Sequence, residues 1–314
     1  YSRRFAAQER ARTGLPTAAE ATVKIKSMTG SWSAAELPHR VSQKFVEETL
    51  RRHAQAWPST DVRYGWRLER FSDEGTSVSA TVRPSEGGSA QEVVATFLIG
   101  ADGARSAVRQ QLGIEWGGVT GIQREFMGGK MFAIYLRAPQ FLSALQSPRA
   151  WMYVAVNRER RAFMASVDGL SEYAFHAALR PGEDAEGWTE ADARRVFTEA
   201  VGVDVPIEIL SMGTWLAGHA LVAQRFQQGR VCIAGDAAHL FTPTGGLGYN
   251  TAVGDAVNLG WKLASVLKGY SSPVLLDSYE TERRPIGLRN TDYARGFADS
   301  IGLFQTTAAL EAEG

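Results

Sequence analysis

The sequence predicts an α/β protein in which one domain is interrupted by a second domain built on an antiparallel sheet. Two segments carry the first domain, "FLIGADGARSAVRQQLG" at 97–113 and "GRVCIAGDAAHLFTPTGGLGYNTAVGDAVNLGWKLA" at 229–264. Each sets an apolar strand, a turn of small residues around an aspartate, and a helical pattern in that order. Between them lies a block of longer alternating runs, with the period of two that an antiparallel sheet produces. The expected boundaries place the first domain at 1–113 and 229–314 and the second at 114–228.

Taken in order, the opening 1–37 is rich in Ala, Thr and Ser and supports no regular element. Ser42 then stands as N-cap before Phe45, Val46, Thr49, Leu50 and His53 at helical spacing, so a helix is expected over 42–56, stopped by Pro58. Three strand runs follow, "RYGWRLERF", "TSVSATVRP" and "QEVVATFLIG", separated by "SDEG" and "SEGGSA". They read as an antiparallel ribbon whose last run ends in a buried strand at 97–101, before a short helix closed by Gly113. The alternating block comprises 119–137, "AWMYVAV", "RAFMASV" and "IEILSMGTWLA", with helices near 140 and over 190–201. "GRVCIAGD" returns to a buried strand. The helix after it is expected over 250–268, with Asn250 or Thr251 as N-cap and Val253, Val257, Leu263, Val266 and Leu267 on its buried side.

Composition excludes several functions. The 34 basic and 34 acidic residues cancel and no long run of like charge exists, so no field gathers nucleic acid. With 44% hydrophobic and 22% charged residues, the chain is rich enough to bury a core. Its one cysteine, Cys232, sits in the apolar run "RVCIAG" and reads as core packing, and a disulfide within the chain is excluded. No apolar run approaches the ~18 residues that span a bilayer, and the start is not signal-like. A cytoplasmic protein is expected. Because the chain begins at Tyr1 rather than Met, a fragment of a longer protein is expected too. No metal site is expected.

The chemistry concentrates at two strand ends. Asp102 and Gly103 stand at the carboxyl end of the first strand, the edge where open parallel sheets bind ligands. Gly103 allows a close turn, Asp102 accepts from hydroxyls, and Arg105 or Arg109 could face phosphates; an Asx turn with a helix cap accounts for the same residues. Asp236 repeats the arrangement beside Gly235, Ala237 and Ala238. Pro243, Gly245, Gly246 and Gly248 then build a loop that is costly unless its backbone lies against something flat or anionic. The helix that follows presents free N–H groups, which stabilise an electron-rich ring.

These two segments resemble the Asp-Gly and Gly-Asp motifs of the single-component FAD-dependent aromatic hydroxylases, the family of p-hydroxybenzoate and phenol hydroxylases. The likeness runs from about Pro38 to Arg295, and "HRVSQKFVEETLRRHA" is similar to the family's segment before its ribbon. The resemblance implies a Rossmann-like FAD-binding domain interrupted by an antiparallel-sheet substrate domain. Members of the family open with a G-x-G-x-x-G unit that this sequence lacks, so the FAD-binding domain is expected to be incomplete at its N-terminus. A second departure is Thr242 before Pro243, where the family usually has Pro-Pro.

The resemblance further implies that Asp236 bonds the ribitol of FAD, that Asp102 lies near its pyrophosphate with Gly103, and that Gln43 contacts phosphate or ribose. Gly245, Gly246, Leu247, Gly248, Tyr249 and Asn250 would offer backbone N–H groups to flavin N1 and O2, and Pro243 would sit where oxygen adds. The implied reaction is hydroxylation of a phenolic or polycyclic aromatic ring by dioxygen through a flavin C4a-hydroperoxide, with NADPH or NADH as transient electron donor. His219, Tyr135 and Tyr153 are candidates for the base that deprotonates a phenol. Met127, Phe132, Trp151 and Trp215 are candidate walls of the aromatic pocket. A homodimer is compatible with the family. Two alternatives stand beside this reading: a non-catalytic fragment of such an enzyme, and a flavin-dependent halogenase, whose Trp-x-Trp-x-Ile-Pro signature is absent.

Overall fold

The computed structural model describes residues 1–27, 40–119, 129–157, 160–180, 182–217, 219–243 and 245–307. Helix α1 (Ala18–Ser27) opens on reciprocal bonds, Glu20 N–H to Thr17 Oγ1 at 3.2 Å and Thr17 N–H to Glu20 Oε2 at 2.7 Å. This Thr-x-x-Glu capping pair gives structure to an opening where no element was expected. Helix α2 (Gln43–Gln55) follows Ser42 as expected, and none of its residues is buried. Strands β1 (Trp66–Asp73), β2 (Val78–Pro84) and β3 (Gln91–Ala95) form the expected antiparallel ribbon. The third run then leaves the ribbon, because β4 (Leu98–Gly100) pairs elsewhere.

Helix α3 (Ala107–Gln111) ends before Gly113, whose φ of 67° lies in the left-handed region that glycine tolerates. After β5 (Trp116–Val119) come β6 (Gly129–Arg137), β7 (Met152–Ala155), β8 (Ala162–Ser166) and β9 (Glu172–Ala178). Helix α4 (Glu190–Val201) begins with a capping box between Thr189 and Asp192 and stops at Gly202. The chain continues through β10 (Glu208–Ala217), β11 (Ala220–Ala223), β12 (Gln227–Gln228), β13 (Val231–Ile233) and β14 (His239–Leu240). It closes with α5 (Leu247–Leu267) and α6 (Asp277–Thr307). The helix expected near 140 is a single 3₁₀ turn, Phe141–Ala144. Among the described residues, no helix is long and apolar enough to cross a membrane.

The chain forms two compact units, Tyr1–Val62 with Phe132–Thr214 and Arg63–Met131 with Trp215–Ala309. In the first, a sheet of order β10-β6-β9-β8-β7 packs one face against α4. Alternation in β9 drives this, with Tyr173, Phe175 and Ala177 buried and their neighbours not. Phe5 stands edge-on to Phe141 and Phe175 in that core, and Ser2 N–H donates to Val154 C=O at 3.0 Å. Residues 1–62 therefore join the sheet unit rather than the domain expected for 1–113.

In the second unit, β13 pairs in parallel with β4 and antiparallel with β12. β11 lies between β14 and β5, so β5 and β11 also fall outside the expected 114–228 domain. Cys232 is buried in this core, where burial pushes its thiol up to about 12, as core packing requires. The expected burial of β4 is only partial, since it has a neighbour on one side and Ile99 stays exposed. Helix α5 also differs: its buried residues are Thr251, Asp255, Leu259 and Lys262, while Val253, Val257 and Leu267 are exposed. A stripe bearing three polar residues faces inward because partners await two of them, Gly235 N–H in the turn below for Asp255 and Asn290 of α6 for Thr251.

Candidate functional site

The parallel ladder of the second unit sets the site. Ile233 lies opposite Gly100, and Ala234 N–H donates to Gly100 C=O at 3.0 Å. Both chains then turn at the carboxyl end of the same sheet, which brings the Asp102 and Asp236 turns onto adjacent strands. The close approach of α3 to this ladder needs Gly100, since a Cβ there would lie 2.6 Å from Val108 Cβ.

The two aspartates are used differently. Asp102 accepts from Ser106 Oγ at 2.6 Å and from Val108 N–H at 3.1 Å, while Ser106 Oγ caps Arg109 N–H at 2.9 Å. Its carboxylate thus shapes the turn and holds Gly103 at φ 80°. Arg109 does not face a phosphate site. It is buried, donates to Ile114 C=O at 2.8 Å and lays its guanidinium 4.2 Å from the Trp116 ring centre. Asp236, in contrast, is exposed between buried Gly235 and Ala237.

The glycine loop differs from expectation in where it ends. Gly246, at φ 65°, is the N-cap of α5, so Leu247, Gly248, Tyr249 and Asn250 are its first turn. Asn250 Nδ2 donates to Gly246 C=O at 2.8 Å and Thr251 Oγ1 to Leu247 C=O at 2.7 Å, so neither side chain caps the helix start. The first-turn N–H groups have no partner within the helix and carry its positive end. Gly245, at φ 87°, and the exposed Pro243 precede them. Thr242 is buried and its Oγ1 has no partner among the described residues.

Beneath the turn lies a network that sequence reasoning missed. Asp255 Oδ2 accepts from Gly235 N–H at 3.1 Å and lies 2.6 Å from His239 Nε2. Its Oδ1 accepts from Arg283 Nε at 2.8 Å. Burial resists ionisation of Asp255, but His239 and Arg283 outweigh it and hold the carboxyl below its ordinary value.

The remaining described candidates are spread over both units, with Trp215 and His219 in the second. Gln43, exposed at the start of α2, donates to Glu47. Phe132 does not wall an open pocket: alternation along β6 turns it into the core, edge-on to Trp188 at 4.8 Å. Trp151 is exposed beneath the Arg40 guanidinium, 4.1 Å from its ring centre. Trp215 is half-buried, and Met127 lies outside the described residues.

Of the base candidates, Tyr153 is locked in the core, accepting from Ala150 N–H at 2.9 Å, and burial raises its pKa. Tyr135 donates to Glu172, which also pairs with Arg137 at 3.0 Å and with Lys44 at 3.3 Å. Burial and that carboxylate raise the Tyr135 pKa, the wrong direction for a ready base. His219 is half-buried.

Residues 3–294 match the family described as FAD binding domain. The chain belongs to that family. It is 36% identical over 261 residues to a 4-methyl-5-nitrocatechol 5-monooxygenase of Burkholderia sp, covering 81% of this chain and 46% of the relative. Among solved structures it is similar to the flavin-dependent monooxygenase PieE in complex with FAD and substrate, with TM-score 0.76 and 30% identity over 89% of this chain and 47% of that one. A ternary complex of aklavinone-11 hydroxylase with FAD and aklavinone matches with TM-score 0.72 and 30% identity, over 82% of this chain and 47% of that chain. The chain therefore spans under half the length of these relatives.

Proposed function

We propose that the protein containing this chain is an FAD- and NAD(P)H-dependent monooxygenase that hydroxylates a phenolic or polycyclic aromatic substrate. The observation that carries this reading is the parallel β4/β13 pair, which sets an exposed Asp236 and the glycine start of α5 at one sheet end beside the Asp102 turn. Family membership and the monooxygenase relatives support it.

The residues present fit FAD. Asp236 is an exposed acceptor suited to a ribitol hydroxyl, and Gly245 and Gly246 hold left-handed backbone that leaves the Leu247, Gly248 and Tyr249 amides to face a flat, electron-rich edge. When bound, FAD supplies hydride acceptance from NADPH or NADH and activation of dioxygen at its C4a position. The protein's part is to bind and orient it. Asp236 fixes the ribitol, the α5 terminus stabilises negative charge on the reduced ring, and Asp102 keeps the Gly103 turn in shape near the pyrophosphate. Gln43 would add a phosphate or ribose contact, and Pro243 would lie beside the ring. Apart from Gln43, which belongs to the first unit, these cofactor contacts are residues of the second unit.

The test uses the full-length protein with labelled dioxygen. Substrate-stimulated NAD(P)H oxidation with one labelled oxygen in the aromatic product is expected. Oxidation that leaves no label in any product would exclude hydroxylation.

A further inference from the structure

The network under the 235–239 turn does more than fill a core. One carboxylate, Asp255, is fully buried and binds both ends of the turn: its Oδ2 takes Gly235 N–H at 3.1 Å and lies 2.6 Å from His239 Nε2. Its other oxygen takes Arg283 Nε of α6 at 2.8 Å, and Arg283 Nη2 continues to Thr251 C=O at 3.2 Å. The turn, α5 and α6 are therefore joined through a single side chain. Gly254 makes room for the crossing, since a Cβ there would lie 2.6 Å from Arg283 Nη2.

A buried carboxylate with two cationic or donor partners is a poor choice for stability alone, because an apolar side chain of like volume serves as well or better. Its merit is direction. Hydrogen bonds fix the backbone where dispersion contacts would let it slide, and here they act on Gly235, at φ 61°, and on His239, the residues flanking Asp236 and its two buried neighbours. His239 Nδ1 has no partner among the described residues, so the ring is tied to this network through Nε2 and Asp255.

We propose that Asp255, acting through Gly235 and His239, is the positioning residue that holds Asp236 in its ligand-facing pose. The proposal rests on the reading of Asp236 as the ribitol contact of FAD, but its first consequence does not need FAD. In the ligand-free chain, Asp255→Asn is expected to speed amide hydrogen exchange across 231–240 at least tenfold while leaving 152–178, in the other unit, unchanged. His239→Gln, which keeps a donor near the Nε2 position, should stay within about threefold of wild type, and His239→Phe should behave like Asp255→Asn. The dissociation constant for FAD, measured by equilibrium dialysis on the same variants of the full-length protein, should follow the same order.

Wild-type exchange across 231–240 in Asp255→Asn overturns the proposal. So does equal exchange in His239→Gln and His239→Phe, which decides the matter if Asp255→Asn does not fold. Equal FAD affinity of the full-length wild type and its Asp236→Ala variant defeats the reading of Asp236 as a flavin contact, while the exchange pattern still judges Asp255.

Discussion

Ile233 faces Gly100 across a parallel ladder, although 130-odd residues separate them in the chain. Everything that points to a ligand at this end of the sheet follows from that pairing, because it places two aspartate turns on adjacent strands at their carboxyl ends. The two carboxylates divide the work. Asp102 spends its oxygens on Ser106 and Val108, and Asp236 stays exposed.

In the full-length protein, Asp236→Ala should therefore weaken FAD binding by about ten- to a hundredfold, the loss of one charge-assisted hydrogen bond. Thermal stability should not move, since an exposed strand-end side chain supports no core. Equilibrium dialysis and a melting curve on the same samples check both halves. Equal FAD retention would show that Asp236 only completes the turn.

Asp102→Ala should show the reverse emphasis. Removing it leaves Ser106 Oγ and Val108 N–H without their acceptor at the start of α3, so stability should fall by about 1–2 kcal/mol, as when a helix cap is lost. FAD affinity should fall only as far as the Gly103 turn loosens. Urea unfolding of Asp102→Ala and Asp102→Asn separates the cap from a direct contact: Asn, which can still accept, should recover most of the stability.

Gly100→Ala tests the packing that positions this turn. The added Cβ would fall 2.6 Å from Val108 Cβ and 2.8 Å from its Cγ1, on a β-branched side chain with little freedom to yield. Overpacking of this kind costs about 1–3 kcal/mol. A double variant, Gly100→Ala with Val108→Ala, should recover part of the loss, and no recovery would place the strain in the backbone instead.

How much of this was legible in the sequence depends on what each residue contacts. The motifs at 97–113 and 229–264 announce strand, turn and helix because apolar runs and glycines act locally, and the structure pairs their strands within one unit, in keeping with the single domain expected for them. Local patterns fail where a distant partner reverses the usual sense of a residue. Asp255 and Lys262 face inward on α5 because Arg283 and Glu282 reach them from α6, while Val253 and Val257 stay exposed. Hydrophobic periodicity assigns those faces the other way round. The same holds at the start of the chain, where Phe5 enters a core built more than a hundred residues later, and Thr17 with Glu20 forms a cap that the pattern Thr-x-x-Glu could have revealed.

Thr242→Val probes the position that departs from the family's Pro-Pro. Its hydroxyl is buried with no partner among the described residues, so replacing it with an isosteric methyl should leave stability unchanged or raise it by up to about 1 kcal/mol in the ligand-free chain. A loss of more than that would mean that the hydroxyl is satisfied in solution. Comparing melting curves with and without saturating FAD then reads whether the bound group uses it, as a stabilisation by FAD smaller in Thr242→Val than in wild type.

The pH dependence of the first unit should be set in part by His176. Its half-buried ring stacks on Phe163 with centroids 4.6 Å apart, and the loss of water around it lowers its pKa from 6.5 to about 4. The unfolded chain therefore takes up a proton near pH 6.5 that the folded chain resists until about pH 4. The contribution is fully present above pH 6.5 and is lost as pH falls through that interval, at no more than roughly 1.4 kcal/mol per pH unit. Urea unfolding between pH 7.5 and 4.5 should show this slope in the wild type, and His176→Gln, which cannot protonate there, should flatten it while lowering stability at neutral pH. An unchanged slope in His176→Gln would assign the acid sensitivity to the carboxylates, whose depressed values place their loss at lower pH than that of the histidine.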